Sequence, residues 1–293
     1  MSTTTAPSRR RPLPLADRAA VFPSGTAPYR LSALLAGATI LAAVPTLFRP
    51  SLLGGPDVMV GSARGTALVL LVLTVPLLLW SAHATSRGSA RGLVLWLAAL
   101  THLVYQGLMF CFATPLNSLF LLYVAMLGLS VWTAALVLAR TDIRALHLRW
   151  SRHAPARLAA GVLGTVAALN AVLWIARIVP TIGDEEPSAL MAGSGLTTNP
   201  VIVQDLALWL PLALVSAVLL WRRTAVGHLG AGVMLGMWTL EGVTVATDQW
   251  FGHRMDPTTE WATLEASWLF VALTVVTLVP AVLHLRALDR HSR

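Results

Sequence analysis

The chain has 293 residues, 56% of them hydrophobic and only 12% charged, against about 25% charged in soluble domains, which excludes an ordinary soluble fold. Its formal charge of +8 comes from 21 arginines with no lysine at all, so a retinal or pyridoxal Schiff base and a P-loop phosphate lysine are excluded, each needing an ε-amine. The one cysteine, Cys111, cannot form an internal disulfide or a dithiol relay and reads as a small packing residue.

Residues 1–29 are rich in Ser, Thr, Pro and Arg, lack an apolar run and cannot bury a core, so they read as a disordered cytoplasmic tail. Eight apolar stretches follow, each near the ~20 residues that cross a bilayer core. The first four are expected at Leu31–Phe48, Gly65–Ala82, Gly92–Ala113 and Leu116–Leu138. The last four are expected at Leu158–Ile178, Asp205–Trp221, Val226–Thr247 and Trp261–His284. The fold class is thus an all-α, polytopic transmembrane bundle over 30–287, with 288–293 as a second tail. Pro45, Pro76, Pro211 and Pro280 fall within or near the ends of spans, where a missing N–H kinks a helix and frees a carbonyl. Gly232 and Gly236 form a GxxxG in span 7, read as a close internal helix contact. There is no internal repeat and no pair of broken helices of the transporter type.

The arginines fix the sides. Seventeen of the 21 lie in the amino-terminal segment, the loops after spans 2, 4 and 6, and the carboxyl-terminal tail. By the positive-inside rule those segments are cytoplasmic, which puts both termini inside and the chain in a bacterial plasma membrane. The same placement accounts for the basic pI of 11.2, which reflects contact with lipid head groups and implies no nucleic-acid partner. The acids segregate the other way: Asp17, Asp142 and Asp289 inside, the remaining ten in or toward the outer half. Topology rules do not require that second asymmetry, because acids contribute little to orientation.

Solvated outer loops account for Asp57, Asp184, Glu185, Glu186 and Asp256. They do not account for Glu241, about two-thirds of the way through span 7, with Thr244 and Asp248 at i+3 and i+7 on the same face. A carboxylate at that depth costs on the order of 2.5–3.5 kcal/mol unless it is paired, hydrated or protonated. On span 3, His102, Tyr105, Gln106 and Met109 share a face. Span 5 carries an Asn170, Trp174, Arg177 stripe, and a guanidinium there has Glu241 and Asp205 as natural bidentate partners or can snorkel to head groups. Glu265, between Trp261 and Trp268, reads as interfacial or functional. Asp205, following the turn-favouring Asn199-Pro200, reads either as a cap for span 6 or as a ligand group.

Metal chemistry finds no support, since HExxH, CxxC and paired DxxxD are missing, as are a GxSxG elbow and a P-loop. His102 alone reads as a hydrogen-bonded core residue, and the glycines at 193 and 195 as flexible loop. The expected cofactor is none, with a b-type haem as the one alternative, through two of His83, His228 and His284 at the inner ends of spans 2, 7 and 8.

Two stretches, Asn117-Ser-Leu-Phe-Leu-Leu-Tyr-Val-Ala-Met-Leu-Gly-Leu-Ser130 and Thr198-Asn-Pro-Val-Ile-Val-Gln-Asp-Leu206 with the later Arg222-Arg223, resemble a family of uncharacterised bacterial polytopic membrane proteins. The resemblance covers mainly spans 3 to 7, brings no established activity, and implies only that Asn117, Asn199, Pro200 and Asp205 belong to a recurring pattern.

The expected function is a buried polar site open to the outer face, built from Tyr105, Gln106, Arg177, Asp205 and Glu241. His102, Asn117, Asn170, Asn199, Asp248 and Glu265 form a second tier. Such a site would bind or translocate a small polar or cationic solute whose identity the sequence leaves open. A membrane enzyme acting on a lipid or isoprenoid, with Glu241 or Glu265 as acid–base and Arg177 holding an anionic head, is an alternative. A non-catalytic accessory subunit is another.

Overall fold

A computed structural model of the chain describes residues 21–150, 154–183 and 191–288. Eight helices are long and apolar enough to cross a membrane: α1 Ala27–Phe48, α2 Asp57–Ser86, α3 Ala90–Phe112, α4 Phe120–Ala139, α5 Ala156–Thr181, α6 Pro200–Trp221, α7 Ala225–Met255 and α8 Leu264–Arg286. A short helix, Ile143–His147, lies between α4 and α5, and a single bridge joins Trp150 to Leu288; no strand occurs among the described residues. The protein is therefore a multi-span helical membrane protein.

Helix ends follow local chemistry. Ser89, Thr224 and Thr263 each accept a backbone N–H three residues on, at 3.0, 3.0 and 3.1 Å, and so start α3, α7 and α8. Asn199 does the same for α6 through Val201 N at 2.9 Å. That corrects the expected start at Asp205: the cap is Asn199, five residues of helix precede the expected start, and Asp205 lies inside the span. Span 4 begins at Phe120 instead of Leu116, because Asn117 folds a turn, accepting from Leu119 N at 2.8 Å and donating to Pro115 O at 3.0 Å. Residues 21–29, expected in the tail, join the packed structure: Val21 is buried and Arg140 donates to Ser24 O at 2.8 Å.

The largest departures are at the acid-rich end. α2 and α7 have 30 and 31 residues, about 45 Å each, well beyond the ~30 Å hydrocarbon core. Helix replaces much of the loops expected at Arg49–Arg64 and Asp248–Glu260. The cause is a close approach of α2 to α7. A Cβ added at Gly61 would lie 2.8 Å from Gly252 Cα, and one at Gly65 would lie 2.8 Å from Asp248 Cα. Two glycines four apart thus make a flat face on α2 that a Cβ would block. The GxxxG of α7 works similarly and internally: Gly232 faces Val94 and Gly236 faces Ala98, both on α3.

Two spans contain a widened turn. In α2 Val75 N–H reaches back to Leu70 O, and in α6 Leu210 N–H reaches back to Asp205 O, each an i→i+5 bond of a π-turn. Each turn is followed directly by the proline at its second next position, Pro76 or Pro211. A proline ring clashes with the carbonyl four residues earlier and offers no N–H, and the wider turn accommodates both defects. Pro45 and Pro280 sit within helices that carry no such turn.

The apolar interior divides in two. One cluster is formed by α1–α4, with Trp96, Tyr123 and Met126 fully buried; the other by α5–α7, around Leu163, Ala213, Met234 and Met237. α3, the most buried span, and α7 stand between them and touch both groups.

Candidate functional site

Where α3 and α7 face each other, the apolar clusters are separated by polar side chains. Glu241 is the seventeenth of the 31 residues of α7, so it lies near the helix midpoint and not two-thirds along, because α7 continues to Met255. Its Oε2 accepts a hydrogen bond from Gln106 Nε2 at 2.6 Å and lies 3.3 Å from His102 Nε2. His102 is fully buried, whereas the Glu241 side chain keeps 16% exposure. His102 Nδ1 is 3.2 Å from Thr74 Oγ1, the last residue of the π-turn in α2, and its Nε2 is 3.1 Å from Thr244 Oγ1. Thr244 spends its own hydroxyl proton on Leu240 O at 2.9 Å. Its oxygen can therefore only accept, so the His102–Thr244 bond needs the proton on Nε2, while Gln106 Nε2, itself a donor, lies 3.4 Å from that same nitrogen and is spent on Glu241.

Two further carboxylates flank this pair. One helical face below Glu241, Asp248 takes the Thr66 hydroxyl between its two oxygens, at 2.9 and 3.0 Å. On the other side Asp205 opens the π-turn of α6, is buried, and accepts the indole N–H of Trp174 at 3.0 Å. Tyr105, buried and next to Gln106 on α3, packs its ring 6.1 Å from that of Trp209 in the same π-turn. Asp205, Glu241 and Asp248 thus lie on two helices around α3, bonded to Trp174, Gln106 and Thr66 respectively, and among the described residues the one ion pair any of them makes is Glu241 with His102. Such a group can share protons or attract a cationic solute without its three carboxylates ligating one metal ion together, since like charges so placed disfavour full ionisation. Beside it, Gln204 Oε1 accepts from Trp209 Nε1 at 2.9 Å while its amide Nε2 is buried without a partner among the described residues.

The structure brings together Tyr105, Gln106, Asp205 and Glu241 of the main expected set, and His102 and Asp248 of the second tier. It leaves Arg177 outside. That side chain is exposed, and it forms no ion pair with Glu241 or Asp205, although Trp174 of the same stripe does reach Asp205. Asn170 is half-buried on α5, Asn117 and Asn199 are spent on their own turns, and Glu265 is exposed in the first turn of α8. Asp184, Glu185 and Glu186 lie outside the described residues.

Sequence reasoning missed Thr66, Thr74 and Trp209, and in a second cluster at the arginine-rich end it named His228 and His284 but not His147 and Trp150. There the rings of His147, Trp150 and His284 surround His228 at centroid distances of 4.7, 5.4 and 5.7 Å. His83, the third haem candidate, is exposed and apart from them. His228 Nδ1 and His284 Nε2 are each committed to a backbone carbonyl, at 2.9 and 3.0 Å. The two rings stack on one another, their planes 27° apart. Among the described residues no group of three or more His, Cys, Asp or Glu side chains is placed to hold a metal ion.

Comparison with known proteins gives no match, whether to protein-family models, to curated proteins or to solved structures, so what is established of this chain is a polytopic helical membrane protein with a central acidic cluster.

Proposed function

We propose that this is a multi-pass protein of a bacterial plasma membrane, with both termini in the cytoplasm, that binds or translocates a small cationic solute through the Glu241 cluster. The segregation of seventeen arginines to one end supports the orientation. The observation that carries the solute class is the convergence of Asp205, Glu241 and Asp248 at mid-bundle with no arginine partner among the described residues. A neutral polar solute would not repay the cost of placing three acids there, whereas a cation neutralises them. The Glu241–His102 contact of 3.3 Å supplies a place for a proton that leaves when the cation arrives.

The test is proteoliposomes loaded with a pH-sensitive dye and exposed in turn to sodium, potassium, ammonium and tetramethylammonium. At least one cation should provoke a dye response that Glu241→Gln abolishes and Arg177→Gln leaves intact. A wild-type protein silent to every cation, both as a dye response and as radiolabelled uptake, would remove the proposal.

A further inference from the structure

The two least buried spans, α5 and α8, at 22% and 17%, run side by side at the arginine-rich end and leave an apolar groove of about 400 Å³ between them. We propose that this groove is a binding site for one anionic phospholipid, its acyl chain along Leu158, Gly161, Thr165 and Val276 and its phosphate on Arg157.

Three observations select that occupant. From Arg157 to Thr165 the groove follows two turns of helix, about 12 Å, which is most of the ~15 Å depth of one leaflet's hydrocarbon. Its floor is open, because a Cβ added at Gly161 would meet nothing within 4 Å. Its mouth is cationic and aromatic: the exposed Arg157 guanidinium lies 5.8 Å from the ring centroid of Trp221, itself 57% exposed. No acid occurs in residues 154–166, and among the described residues Arg157 forms no ion pair. Tryptophan marks the head-group level and arginine is the side chain suited to bidentate contact with phosphate, so the charge stands where a lipid phosphate would be and the groove where its chain would be. A zwitterionic lipid offers the same chain but sets beside its phosphate a positive charge that Arg157 repels.

Native mass spectrometry of the full chain would test this, with phosphatidylglycerol or phosphatidylcholine of identical acyl chains titrated into detergent, and inorganic phosphate as a separate arm. Wild type should retain one phosphatidylglycerol per chain with a preference of about fivefold over phosphatidylcholine, as expected for one arginine near a head group. Arg157→Gln should bind the two lipids alike. Gly161→Leu, which fills the groove from a position free of contacts, should retain neither while keeping the wild-type melting temperature. The proposal is overturned if wild type shows no preference, if Gly161→Leu still carries one lipid, or if inorganic phosphate displaces the lipid. It is equally overturned if lipid-free protein is a dimer that Gly161→Leu dissociates, which would assign the groove to a second copy.

Discussion

Alanine placed at Gly65 and at Gly128 is the same chemical change in two helices, and the structure assigns it opposite signs. A Cβ at Gly65 falls 2.8 Å from Asp248 N, from Asp248 Cα and from Thr247 O, and one at Gly61 falls 2.6 Å from Phe251 O. Comfortable carbon contacts need about 3.5–4.0 Å, so α2 and α7 must separate by roughly 0.7–1.2 Å. Such overpacking costs about 1–3 kcal/mol. At Gly128 and at Gly37 an added Cβ meets nothing within 4 Å, so only the helix-propensity gain of about 0.8–1 kcal/mol remains, and that gain is common to all four positions. Gly65→Ala should therefore be less stable than Gly128→Ala by about 1–3 kcal/mol, seen as a melting temperature lower by several degrees in detergent using intrinsic tryptophan fluorescence. Gly65→Ala should also lengthen the Thr66–Asp248 bond beyond contact. Equal melting temperatures for Gly65→Ala, Gly61→Ala and Gly128→Ala would refute the close approach of α2 to α7, and with it the placement of Asp248 in the site.

Glu241→Ala leaves the Gln106 amide without its acceptor and should cost about 1–3 kcal/mol, whereas the exposed Arg177→Met should stay within about 0.5 kcal/mol of wild type. In the double variant these effects should add, measured by thermal unfolding; a coupling above about 0.5 kcal/mol would place Arg177 back beside Glu241. Trp150 Nε1 is buried with no partner among the described residues, while Trp96 Nε1 donates to Ser32 Oγ at 3.0 Å. Trp96→Phe should consequently be more destabilising than Trp150→Phe by about 1–3 kcal/mol, and the reverse order in a chemical-shift or melting assay would contradict the two environments. Reporter fusions after residue 150 and after residue 293 should both signal cytoplasm; an external signal from either would invert the proposed orientation.

The eight spans were legible because apolar runs near bilayer length carry their own signal. Their ends were not, since a window matched to the hydrocarbon core cannot see helix that continues past it, as α2 and α7 do on the strength of the contact between Gly61, Gly65 and Gly252. Residues spaced along one helix face, His102 with Gln106 and Glu241 with Thr244 and Asp248, could be read from periodicity and do meet across α3 and α7. Arg177 was misread because a stripe on a single helix does not say which neighbour it meets. Thr66 and Thr74 were invisible for another reason: threonines in these spans commonly bond their own i−4 carbonyl, as Thr39, Thr46 and Thr85 do, so nothing local distinguishes the two that reach across. The prolines at 76 and 211 were seen as kinks, but not as the followers of π-turns that deliver Thr74 and Asp205.

Each π-turn accommodates one more residue than the turn around it needs, which advances the angular phase of the rest of the helix by about 100°. That phase step falls where each span changes neighbours. In α2 the stretch before it packs on α7 and the stretch after it on α3, with α1 alongside both; in α6 the stretch before it touches α3 and the stretch after it α5 and α7. The surplus residue lets one continuous helix present two differently aimed faces. Deleting a single position within Leu70–Thr74 or Asp205–Trp209 would restore regular winding and aim one half of the span at the wrong partner. A one-residue deletion there should be far more disruptive than replacing any of those ten side chains.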